Sequence, residues 1–355
     1  MQNDRPIALA FSYAIEGVSK VNGTLIARLR QSVAVAAWLV LAGTVAQPVF
    51  GQPGQATLED DVGPAAPPPP GLEWQQLPAD EVFVEEGVPR AANLGVAGGS
   101  LRYEEWQLLP DSVMYPSYLA GEKEPRFGAV WLRGKDGIWK WETALGGRVA
   151  LLRHGTVDTV RPEGWELQLE GAALARVEVF EPSAPLDATD YRAGFLSVWR
   201  EGPWAFKAGY YHLSSHVGDE FLIANTGYKR INYVRDSLIA GTFVDVTDSI
   251  QVYGEMGYAG TDGGAEPLEF QYGIQMSPQG PTGIQGKPFA AINGHTRQEG
   301  GWITSVNITA GWQWRGLRSN HLWRLGMQYY NGPSMQWEFV GRRESLGGGG
   351  IWYDF

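Results

Sequence analysis

His212, Ser214 and His216 stand two residues apart within the stretch Tyr210 to Asp219. Alternate residues of a β-strand share one face, so on a strand these three side chains lie in a row. An imidazole beside a hydroxyl can act as general base and turn the oxygen into a nucleophile. On that chemistry His212 is the base and Ser214 the nucleophile, and a third group must hold the ring. Asn232 and Asp236 fall on the same face of the next strand by phase, and pairing around the connection from His216 to Lys229 brings Asn232 beside His212. The catalytic candidates are therefore His212, Ser214 and Asn232. Asp219 and Glu220 offer oxygen ligands of the kind Ca2+ prefers; no other cofactor is expected. The same residues also fit a plainer role, as polar groups above an aromatic belt satisfied by water and headgroups, with Asp219 and Glu220 as solvated loop charge.

Several other chemistries are excluded. The chain has no cysteine, which removes thiolate nucleophiles, thiolate metal sites and disulfide staples. It has no GxxxxGK(S/T) phosphate loop, no HExxH zinc helix and no GxSxG elbow, and the glycine run Gly347 to Gly350 precedes a strand instead of a helix. A net charge of -11 with no basic face argues against nucleic acid as a partner.

The elements that must position the candidates are strands. From Phe127 onward, segment after segment alternates apolar and polar residues and is bounded by Gly, Pro, Asp or Asn. In Pro267 to Met276 the residues Leu268, Phe270, Tyr272, Ile274 and Met276 alternate with Glu269, Gln271, Gly273 and Gln275. Trp302 to Trp314 repeats the scheme with tryptophan at both ends of the apolar face. Soluble sandwiches alternate too, but they rarely need strands of ten or more residues. A membrane barrel needs both the length and the girdles, with apolar residues toward lipid and polar residues toward the lumen. Such segments occur near Phe127, Trp139, Glu166, Tyr191, Trp204, Ile231, Ile250, Leu268, Phe289, Ile303, Trp323 and Ile351.

The expected fold is all-β: a transmembrane antiparallel up-and-down β-barrel of about twelve strands over residues 126–355. Two inter-strand stretches, His154 to Gly164 and Ser277 to Lys287, are long for the short-turn end of such a barrel. Arg148, Glu166, Glu170, Arg176, Lys207, Arg235, Glu255, Glu269 and Arg324 face the lumen, where they line a small pore or fill it with ion pairs. A largely filled lumen is the favoured reading. With Lys207 inward, His212 and Ser214 face outward at the upper interface, eight and ten residues beyond the girdle residue Trp204.

Ahead of the barrel, Arg28 and Arg30 precede an apolar run from Val33 to Val45 with small residues after it, the pattern of a secretory signal. Residues 1–51 are read as that signal peptide, with a long leading region or a mispredicted start, and residues 52–125 as a linker containing Pro67 to Pro70 and a periplasmic arm. Export and the barrel together predict the outer membrane. The predicted partners are the lipid bilayer and, through the closing Ile351, Tyr353 and Phe355, the barrel-assembly machinery; a small-molecule or lipid substrate is not identified.

Several long motifs carry a resemblance: YLAGEKEPRFG, GYYHLSSHVGDEF, INYVRDSL, KPFAAINGH, GWQWRG, MQYYNG and the closing IWYDF, in that order. Over about residues 106–355 the chain resembles the bacterial family called domain of unknown function 1207, which implies an envelope or barrel protein and no particular activity. The His212-x-Ser214 pair is locally similar to outer-membrane phospholipase A and the lipid A deacylases, barrel hydrolases with a lipid-facing H-x-S pair. Those enzymes follow the pair with Asn and Gly, where this chain has Ser215 and His216.

Overall fold

A computed structural model describes residues 104–355 apart from 158, 159, 261, 262 and 318. The signal peptide and the proline run expected from the sequence lie outside the described residues. The chain forms strands β1 (Glu104–Leu108), β2 (Phe127–Gly134), β3 (Trp139–Thr156), β4 (Gly164–Val177), β5 (Leu186–Glu201) and β6 (Trp204–Val217). A short helix α1 (Asp219–Ala224) precedes β7 (Val234–Asp245), β8 (Ile250–Ala259), β9 (Leu268–Met276) and β10 (Lys287–Arg297). The last three strands are β11 (Thr304–Arg315), β12 (Leu322–Pro333) and β13 (Arg343–Asp354).

Every strand from β2 to β13 pairs antiparallel with its neighbours in sequence, and β13 pairs back onto β2, which closes a twelve-stranded up-and-down barrel. Closure leaves no free edge among β2 to β13, the condition for carrying strands through lipid. Each predicted segment became a strand. The awkward stretch from His154 shrinks because β3 runs on to Thr156, whereas the one from Ser277 is a true long connection.

Side chains obey the predicted phase. On β6 the even-numbered residues from Trp204 to His216 face outward, and Ala205, Lys207, Tyr211, Leu213 and Ser215 are buried. The outer surface carries exposed Trp199, Phe206, Leu238, Met256, Trp312 and Met327 on successive sectors. An apolar belt of this extent is what a lipid-embedded wall requires and what a soluble monomer avoids. The inner face is polar: Arg148, Glu166, Glu170, Arg176, Lys207, Arg235, Glu269 and Arg324 are all buried, as their phase predicted. At Gly348 on β13 the backbone of β2 passes so close that a Cβ would lie 1.8 Å from the carbonyl oxygen of Trp131. Only glycine fits there, which gives part of the closing glycine run a packing reason.

The lumen is filled by two pieces of chain. Strand β1 pairs with the end of β3 beyond the reach of β2, and Leu109 then turns inward through the left-handed region (φ 52°). Residues 109–126 cross the interior and bond to strands all around it. Met114 N–H donates to Glu166 on β4 (2.7 Å), Leu119 N–H to Gln275 on β9 (3.0 Å), and Asn307 on β11 donates to the Ala120 carbonyl (2.7 Å). Composition assigned 109–125 to a periplasmic arm; in the structure this stretch is a plug. Its irregular backbone is tolerated at membrane depth because polar wall groups satisfy it. From the opposite end, residues 334–342 fold inward between β12 and β13 and bury Met335, Gln336, Trp337 and Phe339. Tyr118 of the plug stacks on Tyr253 (3.9 Å between ring centres), and the Lys207 ammonium lies 4.5 Å from the Tyr118 ring.

Where the plug enters, His321 in the connection before β12 bonds to the Asp111 carbonyl through Nε2 (3.1 Å) and to the Tyr353 hydroxyl through Nδ1 (2.6 Å). A carbonyl can only accept, so Nε2 carries a proton, and burial lowers the pKa of the ring and favours the neutral form. Nδ1 then accepts from Tyr353.

Candidate functional site

Two constellations stand out: a polar row on the outer surface and a set of ion pairs that seats the plug. Register sets the first. On β6, His212 is directly opposite Asp236 of β7 and Ala193 of β5, and Ser214 is opposite Val234 and Tyr191. Tyr210, His212, Ser214 and Asp236 are all half-buried on the outward face, among Phe195, Leu238 and Tyr191. His212 Nδ1 lies 2.8 Å from Asp236 Oδ1, and the Tyr210 hydroxyl donates a short hydrogen bond to the same oxygen. A carboxylate that accepts from Nδ1–H fixes the neutral tautomer in which Nε2 keeps its lone pair. That nitrogen is then the base on the side of the ring away from Asp236.

His212 and Ser214 therefore share one outward face of β6. Among the described residues no hydrogen bond joins them, so transfer of the Ser214 proton would require the side chains to close on each other around a bound ester.

Asn232 is not brought to His212. It precedes β7, adopts φ 54°, and with its neighbours is tied to the inward-folded loop. The Glu338 carboxylate accepts from the backbone N–H of Ile231 (2.5 Å), Asn232 (3.2 Å) and Tyr233 (3.0 Å). Three amides bound to one carboxylate cannot also serve a strand ladder, so β7 starts two residues later and Asp236 takes the place expected for Asn232. The clue was present in the sequence, since Asp236 shares the predicted face; the exact register across a long connection was not.

His216 is exposed, with its ring 5.5 Å from that of Tyr191. Asp219 and Glu220 form the first turn of α1 and are exposed. Among the described residues no group of three or more His, Cys, Asp or Glu gathers as a metal site.

The second constellation was missed because its residues sit in a segment without periodicity. Glu122 of the plug bonds His295 on β10 (3.1 Å), Lys123 pairs with Asp190 on β5 (2.5 Å), and Glu124 with Arg148 on β3 (3.4 Å). Arg126 lies 3.4 Å from Asp354 on β13 and donates to the carbonyls of Tyr118 and Leu119. Asp190 also accepts from the Trp337 N–H (3.1 Å) and from Ser215, so plug, wall and inward loop meet on one carboxylate. The sequence signal was the charge density of Glu122, Lys123, Glu124 and Arg126, four charges within five residues.

A family model described as protein of unknown function (DUF1207) matches residues 104–355. The chain belongs to this family. No curated protein matches the sequence. Among solved structures, the DUF1207 chain is similar to outer membrane phospholipase A from Escherichia coli, with 12% identity, 68% of this chain and 92% of that one covered, and a TM-score of 0.45. An active-site mutant of the same Escherichia coli enzyme at pH 6.1 matches at 13% identity over the same shares, with a TM-score of 0.46. The Salmonella typhi outer membrane phospholipase dimer with bound calcium matches at 13% identity over 68% of this chain and 92% of that one, with a TM-score of 0.45.

Proposed function

We propose that this protein resides in the outer membrane as a barrel sealed by its own N-terminal segment, a structural wall and not an open pore. The seating of residues 122–126 carries this reading: each charge of the plug meets an opposite charge on a different strand of the wall. An open channel leaves its lining charges hydrated and accessible, whereas these are buried. The outward apolar belt and the girdle tryptophans support residence in a bilayer, and closure without a free edge suits the outer membrane.

Purified protein in a planar bilayer is expected to give no conductance steps. Replacing Glu122, Lys123 and Glu124 together by alanine should unseat the plug and produce steps. Conductance of the unaltered protein equal to that of the variant would sink the sealed-barrel reading.

A second reading, an outer-membrane acyl hydrolase acting on phospholipid or lipid A, is favoured by one observation: the Asp236-held His212 shares an outward face with Ser214. In that reaction Ser214 Oγ bonds to the ester carbonyl carbon, His212 Nε2 takes the hydroxyl proton and passes it to the departing alcohol, and water then releases the fatty acid. The oxyanion needs donors, for which the connection around Val217 and Gly218 or a Ca2+ ion are the candidates. Purified barrel should release fatty acid from mixed micelles, and Ser214→Ala should abolish release while leaving heat-modifiable migration intact. Equal release by the variant rules the reading out.

A further inference from the structure

The ionic seating of the plug covers only part of its surface. Against β11 and β12 the plug faces a cavity of about 50 Å3, lined in part by Leu119, Gly121, Asn307, Thr309, Gln328 and Gln336. Charge around this cavity is already matched: Glu122, Lys123, Glu124 and Arg126 pair as described above, and Glu142 pairs with Arg176. One buried donor left over is charged, Arg126 Nε, which lies 3.4 Å from the Asp354 carboxylate without a hydrogen bond; the other groups left over around the cavity are neutral. Asn307 Oδ1, Thr309 Oγ1 and Gln336 Oε1 are buried without a protein hydrogen-bond partner, on side chains no more than 2% exposed.

Neither amide can be turned round to remove the mismatch. The Asn307 nitrogen donates to the Ala120 carbonyl (2.7 Å) and the Gln336 nitrogen to the Glu142 carboxylate (2.9 Å); a flip would set oxygen against oxygen in both places. Both amide oxygens therefore remain acceptors. Asn307 and Thr309 are two apart on the inner face of β11, and Gln328 of β12 is directly opposite Thr309, so the polar patch on the wall is contiguous.

We propose that Asn307, Thr309, Gln328 and Gln336 form a buried, uncharged site that holds a cluster of water molecules between plug and wall. The ligand must donate hydrogen bonds to two fixed amide oxygens, must exchange them with a hydroxyl, and carries no charge, since no lining charge lacks a counter-ion. The volume sets its size: at roughly 10–15 Å3 for each water, the cavity of about 50 Å3 holds about three to five. The plug is thus held by ionic contacts to β3, β5, β10 and β13, and its uncharged contacts at the cavity face β11, β12 and the inward loop.

The test uses the full-length barrel, folded in detergent, and two substitutions at one position. If water satisfies the Thr309 hydroxyl, Thr309→Val strands a water hydrogen bond and lowers the urea midpoint of unfolding, while Thr309→Ser keeps the hydroxyl and recovers most of the loss. If the site is dry, Thr309→Val removes an unsatisfied hydroxyl and the midpoint stays level or rises, which overturns the proposal. A crystal structure of the unaltered protein decides independently of how the variants fold: density for ordered water within hydrogen-bond distance of Asn307 Oδ1 and Thr309 Oγ1 supports the site, and its absence at a resolution that shows other buried water refutes it.

Discussion

Glu170→Ala is expected to destabilise the barrel by roughly 3–5 kcal/mol, the range for removing one member of a buried ionic group. Glu170 is 3% exposed. One carboxylate oxygen accepts from Arg148 Nε (3.1 Å) and Nη2 (2.7 Å), and the other from Arg192 Nε (3.0 Å) and Nη2 (2.8 Å). Without it, the two guanidinium groups keep in direct contact only weaker partners among the described residues: Glu124 and the Tyr115 carbonyl, each 3.4 Å from Arg148, and the Tyr211 ring beside Arg192. Desolvating each cation costs more than the surviving contacts return, so the loss comes from stranded charge more than from missing bonds. The cross-strand pair Glu104 and His154, 3.8 Å apart and about half exposed on both sides, is the matched control, since exposed pairs contribute little. Urea titration of barrel refolded into detergent gives the comparison. A Glu170→Ala loss no larger than that of Glu104→Ala would show that water reaches the triad and that the lumen is not filled at this level.

How far the sequence went is clearest at the two faces of β6. One lysine, Lys207, set the phase of the strand, and from it the outward placement of His212 and Ser214 and the inward placement of Tyr211 and Leu213 followed by alternation. The same logic located all twelve barrel strands, because each must alternate to face lipid on one side and a polar lumen on the other. It failed where structure depends on partners distant in sequence. The plug has no period of its own, and its burial rests on Asp190, His295 and Asp354, spread over more than half of the described chain. Asn232 was misplaced for a related reason: Glu338, more than one hundred residues later, takes the amides of 231–233. A linear pattern cannot report a carboxylate delivered by an inward-folded loop.

That displacement separates Asp236 from Asn232 as the group that orients His212, and the second large effect follows from it. On the acyl-hydrolase reading proposed above, Asp236→Asn is expected to lower kcat for ester hydrolysis by about 100- to 10,000-fold, the usual span for losing a general base, while Asn232→Ala leaves kcat unchanged. Asp236 only accepts, so it holds the proton on Nδ1 of His212 and leaves the Nε2 lone pair free. An asparagine amide can donate instead, which lets the proton move to Nε2 and removes the base without altering the fold. Tyr210→Phe should have a smaller effect, since it removes one of two donors to Asp236 but leaves the His212 bond in place. KM should change little in all three, because none of these side chains needs to hold the acyl chain. The 15N shifts of the His212 ring give a readout apart from turnover: the Nδ1–H tautomer in the unaltered protein, and a mixed or reversed tautomer in Asp236→Asn. An Nε2–H ring in the unaltered protein, or a fall in kcat with Asn232→Ala and none with Asp236→Asn, would remove Asp236 from the role.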